Sequence, residues 1–167
     1  MRTDGPFTLR SGAISDWYID ARQTTFDGAG AIIVGEAVVE VLDPEITAVG
    51  GLTMGADPIA IATAAAAATG GRPLRAFSVR KEAKGHGMGG RIVGPVDSED
   101  AVAVIEDTTT TGSAMFEAMD ALADAGIRIA QVITLVDRSG GIAASKVGAA
   151  GIPYVALVTP SDLGVDE

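Results

Sequence analysis

Glu106 and Asp107 stand side by side at the end of an apolar run, residues 101–105. Four threonines follow them, Thr108, Thr109, Thr110 and Thr111, and then Gly112, Ser113 and Ala114. Two adjacent carboxylates can accept hydrogen bonds from both vicinal hydroxyls of a sugar. A loop that leads from a strand into a helix exposes backbone N–H groups where about half a positive charge is felt. The threonine hydroxyls add donors, and Gly112 lets the backbone approach an anion closely. Such a loop suits a terminal phosphate monoester. Phosphate at one end and diol at the other describe a ribose 5-phosphate. For the loop taken alone, an acidic turn in which Thr or Ser merely caps a helix is the competing explanation.

A second stretch, "RKEAKGHG", gathers Arg80, Lys81, Lys84 and His86. The chain is acidic, with 22 acids against 12 basic residues and a net charge of −10, yet its only histidine and two of its three lysines fall here. Cations placed together in this way can stabilise a departing diphosphate, whose charge grows as its bond to carbon breaks. Lys84 is a point charge on a flexible stem, and His86 can donate a proton near neutrality. The glycines at 85, 87, 89 and 90 would let such a loop close over a site and exclude water. A solvated charge run is the plainer alternative. Arg138, in "LVDRSGG", is either an anion receptor or a surface residue after a strand; Trp17 and Tyr18, in "SDWYID", either pack on the core or touch a planar ligand. The absence of cysteine removes thiolate chemistry, and no His/Cys cluster suggests a transition metal. The acidic balance argues against a broad nucleic-acid surface.

These residues need a frame. Apolar runs over residues 45–51, 74–79, 101–107, 127–137 and 152–159 read as strands. Between them lie helix-like stretches over 24–42, 56–71, 112–126 and 141–151, with Met115, Met119 and Leu122 on one face of the third. Asp57 is expected to N-cap the second helix with Pro58 at its first position, and Gly70 to end it. Gly50 and Gly51 read as the entry to a tight turn. The alternation predicts one α/β domain over residues 1–167, a mainly parallel open sheet flanked by helices. In such sheets ligands bind beyond the carboxyl ends of the strands, where Gly50, Gly51, the 80–86 stretch, the 106–113 stretch, Asp137 and Arg138 all converge. No 18-residue apolar span or signal-peptide core is seen, so a cytoplasmic protein without membrane or nucleic-acid partners is expected.

"VIEDTTTTGS" resembles the phosphoribosyl-pyrophosphate (PRPP) signature of type I phosphoribosyltransferases. "RKEAKGHG" is similar to the catalytic-loop signature of the orotate phosphoribosyltransferase family, and "LRSGAISDWYID", "GGLTMGADPIA" and "LVDRSGG" match that family as well. The resemblance covers residues 7 to about 160. It implies the type I phosphoribosyltransferase fold, with a flexible catalytic loop and a small hood region, and phosphoribosyl transfer from PRPP to orotate in pyrimidine synthesis. It implies PRPP binding by Glu106, Asp107, Thr108, Thr109, Thr110, Thr111, Gly112, Ser113 and Ala114, with Arg80, Lys81, Lys84 and His86 on the pyrophosphate. Lys84, His86 and Asp107 would be catalytic. Thr110 and Arg138 would contact orotate, with Arg10 and Tyr18 as further base contacts. Magnesium would ride on PRPP and not on a protein metal site. A homodimer is implied, with Lys84 and His86 serving the neighbour's active site. Arg10 stands where the family often has lysine in "LKSG", and only nine residues precede it, so the N-terminal cover over the base site is expected to be either reduced or supplied differently. Transfer to another base, and a non-catalytic PRPP- or nucleotide-sensing regulator on the same fold, are the competing functions; a dinucleotide site is disfavoured because no G-x-G-x-x-G follows the first strand.

Overall fold

The computed structural model of the chain describes residues 1–8, 12, 14–83 and 90–165. Its elements are β1 (Phe7–Thr8), β2 (Ile14–Ser15), α1 (Arg22–Thr25), α2 (Gly28–Val41), β3 (Ala48–Leu52), α3 (Ala56–Thr69), β4 (Arg75–Val79) and β5 (Ile92–Val93). There follow β6 (Ala101–Thr109), α4 (Ser113–Asp124), β7 (Arg128–Asp137), α5 (Ile142–Ala149), β8 (Tyr154–Val158) and a 3₁₀ turn, Ser161–Leu163. Six strands form one sheet in the order β5-β4-β3-β6-β7-β8, parallel except for the edge strand β5. The strands β1 and β2 pair separately as a small antiparallel ribbon.

Alternation of side chains along β6 sorts the core into two layers. Val102 and Val104 face Met115, Leu122, Ala143 and Val147 of α4 and α5, whereas Ala103 and Ile105 face Val34, Val38 and Ile59 of α2 and α3. Both faces are therefore covered, which is why β6 reads as a continuous apolar run and not an alternating one. The expected α/β open sheet is what the chain adopts.

Two local expectations are corrected. Gly50 and Gly51 are buried inside β3 and do not form its turn. A Cβ on Gly50 would collide with the carbonyl of Phe77, and one on Gly51 with the carbonyl of Ile105, so both glycines are there because neighbouring backbones leave no room for a side chain. The turn comes later, at residues 53–55. Likewise, Asp57 is not the cap of α3. That helix opens at Ala56 after Gly55, and Asp57 lies in its first turn, where its carboxylate accepts a hydrogen bond from the Thr53 hydroxyl at 2.7 Å. Gly70 ends the helix as expected.

Candidate functional site

The carboxyl ends of β3, β4, β6 and β7 carry the residues with chemistry. Glu106 follows Val104 on the α4 side of β6 and is 7% exposed. Its Oε2 has no hydrogen-bond partner. Burial, and beyond it the adjacent Asp107 carboxylate, push the Glu106 carboxyl up to about 8. Asp107 beside it is half-buried, its Oδ1 accepting the Thr108 N–H at 2.7 Å. A Cβ placed on Gly55 would lie 2.7–2.8 Å from the Asp107 carboxyl group. The β3–α3 turn thus forms the wall against which Asp107 rests.

Gly55 has φ −63° and ψ −41°, a conformation open to any residue. Gly55→Ala is therefore expected to spare the fold and displace Asp107 alone. Any activity that depends on Asp107 should fall roughly tenfold or more while the melting temperature moves by only a few degrees; an activity assay with a thermal melt checks both.

The threonines divide by burial. Thr109 is 2% exposed with an unpartnered hydroxyl, whereas Thr110, Thr111 and Ser113 are exposed. Gly112 takes φ +79°, a left-handed turn that favours glycine, and its carbonyl accepts the Phe116 N–H at 2.9 Å to begin α4. The Thr111 and Ser113 hydroxyls are 3.4 Å apart. Hydroxyls and the opening N–H groups of a twelve-residue helix converge here, which is a favourable place for an anion.

The Arg138 N–H donates to the carbonyl of Thr109 at 2.8 Å, so the turn after β7 is bonded directly to the end of β6. Arg80 is half-buried at the end of β4, where its N–H bonds the Arg91 carbonyl at 2.7 Å; Lys81 beyond it is exposed. Arg91 in turn bonds the Arg80 carbonyl at 2.7 Å and pairs with Glu117 of α4. Tyr18 is 39% exposed and its ring centroid lies 5.9 Å from that of Phe7. The expected roles of Lys84, His86 and Arg10 fall outside the described residues.

Sequence reasoning missed three participants. Gly55 backs Asp107, a role visible only once the β3–α3 turn is folded. Arg22, paired with Asp20 at 2.7 Å, also feels Asp107; the Asp20 hydrogen bond first and the Asp107 charge more weakly raise its pKa. Tyr154 on β8 donates its hydroxyl to Asp137 Oδ2 at 3.0 Å, and burial holds that phenol protonated well above its ordinary range. No local sequence signal marks either Arg22 or Tyr154, because both reach the site from distant elements.

A divalent cation finds a partial set of donors here. Glu106 and Asp107 offer two adjacent carboxyl groups, one with a buried, unpartnered oxygen. Among the described residues no three His, Asp or Glu side chains gather around a common point. Such a set fits magnesium that brings its own waters and substrate oxygens, and does not form a complete protein cage.

No protein-family model matches the chain. The orotate phosphoribosyltransferase of Streptomyces avermitilis is 45% identical to it over 163 residues, covering 97% of this chain and 90% of that protein. Among solved structures, Mycobacterium tuberculosis orotate phosphoribosyltransferase in complex with Fe(III) dicitrate matches with a TM-score of 0.84 at 41% identity, over 96% of this chain and 90% of the other. The structure of that protein in complex with PRPP matches with a TM-score of 0.81 at 36% identity, with the same coverage.

Proposed function

The chain belongs to the orotate phosphoribosyltransferase family and has the type I phosphoribosyltransferase fold, and on that premise we propose that it transfers the 5-phosphoribosyl group of PRPP to orotate. The products are orotidine 5-phosphate and pyrophosphate, a step of pyrimidine synthesis. The observation that carries this reading is the bond from the Arg138 N–H to the Thr109 carbonyl. It joins a cradle suited to a sugar phosphate to a guanidinium suited to an acidic base.

In this reading Glu106 and Asp107 accept hydrogen bonds from the ribose hydroxyls. Thr108, Thr109, Thr110, Thr111, Gly112, Ser113 and Ala114 enclose the 5-phosphate with backbone N–H groups and hydroxyls. Breaking the C1–oxygen bond builds positive charge on the ribose ring and negative charge on the diphosphate. Asp107 lies near the first, and Arg80, Lys81, Lys84 and His86 draw on the second, so each stabilises the transition state more than the ground state. Magnesium, when bound with PRPP, neutralises diphosphate charge. Arg138 receives the orotate carboxylate, with Thr110 beside the ring and Arg10 and Tyr18 at its border.

Residues 1–167 act in this proposal as one domain, in the cytoplasm, as a homodimer that shares the loop bearing Lys84 and His86. Exposed apolar side chains support a second copy: Ile32 and Ile33 of α2 and Ile61 of α3 are each more than 60% exposed. No described helix is long and apolar enough to cross a membrane.

Mixing the purified protein with orotate, PRPP and magnesium is expected to consume orotate absorbance; turnover of adenine or uracil with none of orotate would refute the substrate. Lys84→Ala and Asp107→Asn variants, each inactive, should recover roughly a quarter of wild-type activity after subunit exchange, because about half the dimers are then hybrids with one intact site. No recovery despite proven exchange would refute loop sharing.

A further inference from the structure

The Arg138 guanidinium is held by groups that the reaction as proposed leaves without a role. Its central carbon lies 3.8 Å from the centroid of the Trp17 ring, and Trp17 is 5% exposed. Its Nη2 is 3.4 Å from Ser15 Oγ, and that hydroxyl is itself fixed by donating to the Trp17 carbonyl at 2.7 Å. Below the guanidinium, the preceding residue pins the turn. Asp137 is buried; its Oδ1 accepts the Ser139 N–H at 2.7 Å and its Oδ2 accepts the Tyr154 hydroxyl at 3.0 Å. Ser139 Oγ then accepts the Ala143 N–H at 3.0 Å, tying the turn to α5.

We infer that Trp17 is a specificity-determining positioning residue, which stacks against Arg138 and so presents its guanidinium edge to the carboxylate of the incoming base. The inference rests on the reading of Arg138 as the receptor for that carboxylate. Arginine is a planar fork on a long side chain, and an unrestrained one loses rotamer freedom each time it engages a ligand. An indole against its face removes that cost in advance and is attracted to the cation through the ring quadrupole. Stacking occupies a face of the guanidinium and leaves in-plane N–H groups for bidentate binding of a planar carboxylate. Ser15 fixes the rotation within the plane, and the Tyr154–Asp137–Ser139 set fixes the backbone that carries the side chain. Trp17 itself is buried under Arg138 and acts through it.

Trp17 is the only tryptophan in the chain, so its emission reports on the stack directly. Arg138→Ala is expected to shift or brighten that emission in the unliganded protein; an unchanged spectrum would overturn the stack. Trp17→Phe keeps an aromatic face, whereas Trp17→Leu keeps apolar bulk without one. The Leu variant is expected to raise the KM for orotate roughly tenfold above that of the Phe variant, with the KM for PRPP within about twofold in both. Combining Trp17→Leu with Arg138→Ala should add nothing to the loss caused by Arg138→Ala alone. Equal effects of Leu and Phe, parallel changes in both KM values, or additive losses would each overturn the inference. If wild-type protein turns over no orotate but Arg138→Ala still shifts the emission, the functional reading fails and the substrate named here with it, while the stack stands.

Discussion

Affinity for PRPP is expected to climb about tenfold per pH unit from roughly pH 6.5 to 8 and to level off above that. The cause is Glu106. Its carboxyl is buried, is pushed up to about 8, and has an oxygen without a partner, so at neutral pH it holds its proton. A sugar hydroxyl that donates to this group needs an acceptor, and a protonated carboxyl is a poor one. Binding must then expel the proton. Below about pH 6.5 the 5-phosphate of the ligand begins to titrate as well, so the window above it isolates the protein group. Calorimetry in two buffers of different ionisation enthalpy should record close to one proton released per site near pH 7. Glu106→Gln should bind more weakly but with a flat profile. A flat profile in the wild type would refute the assignment.

The same group sets a pH dependence of folding. The Glu106 pKa is raised in the folded chain, so between about 4.5 and 8 the unfolded chain has released this proton while the folded chain retains it. The unfolded state therefore binds fewer protons, and stability falls as pH rises through that window. Below it the two states bind equally, and above it the loss is complete. A shift of this size corresponds to several kcal/mol at most. Glu106→Gln should consequently melt higher than wild type at pH 8, by up to roughly 10 °C, and no higher at pH 4. In the proposed reading a binding group is kept at the expense of stability, a known pattern at functional sites.

Gly51→Ala is expected to lower the melting temperature by about 10 °C or to prevent folding, a loss of roughly 3 kcal/mol or more. The added methyl would meet the Ile105 carbonyl of the neighbouring strand and approach Ala56 Cβ to 2.8 Å. Neither is a flexible side chain that can move aside. Gly28→Ala supplies the control, since nothing lies within 4 Å of its Cβ position and it sits in the first turn of α2. That change should leave stability level or raise it by up to about 1 kcal/mol. Equal melting of the two variants would show that β3 and β6 are less tightly apposed than described.

The parallel sheet was legible because buried strands and amphipathic helices leave period-specific signals, as in "AVAVIED" and the Met115, Met119, Leu122 face. The acid pair and the threonine loop were legible because their chemistry is contiguous in the chain. The glycine pair at 50 and 51 was misread, since a glycine needed for a turn and one needed for a close neighbour look alike in one dimension. Asp57 was misassigned by a single turn for a similar reason: an acid near a helix start satisfies the pattern whether it caps from outside or accepts a hydroxyl from within. Tyr154 and Arg22 could not be seen, because Asp137, which Tyr154 bonds, and Asp107, whose charge Arg22 feels, lie 17 and 85 positions away and only the fold brings them together.

The link between the Arg138 amide and the Thr109 carbonyl has a bearing on how such an enzyme could diversify. In the proposed reading, one hydrogen bond spaces the pocket for the nucleobase from the pocket for the sugar, so neither can slide without dragging the other. Insertions or deletions in either turn would misalign the two reactants for every base alike. New acceptors would then have to arise by exchanging side chains around a fixed frame, and not by resizing either turn.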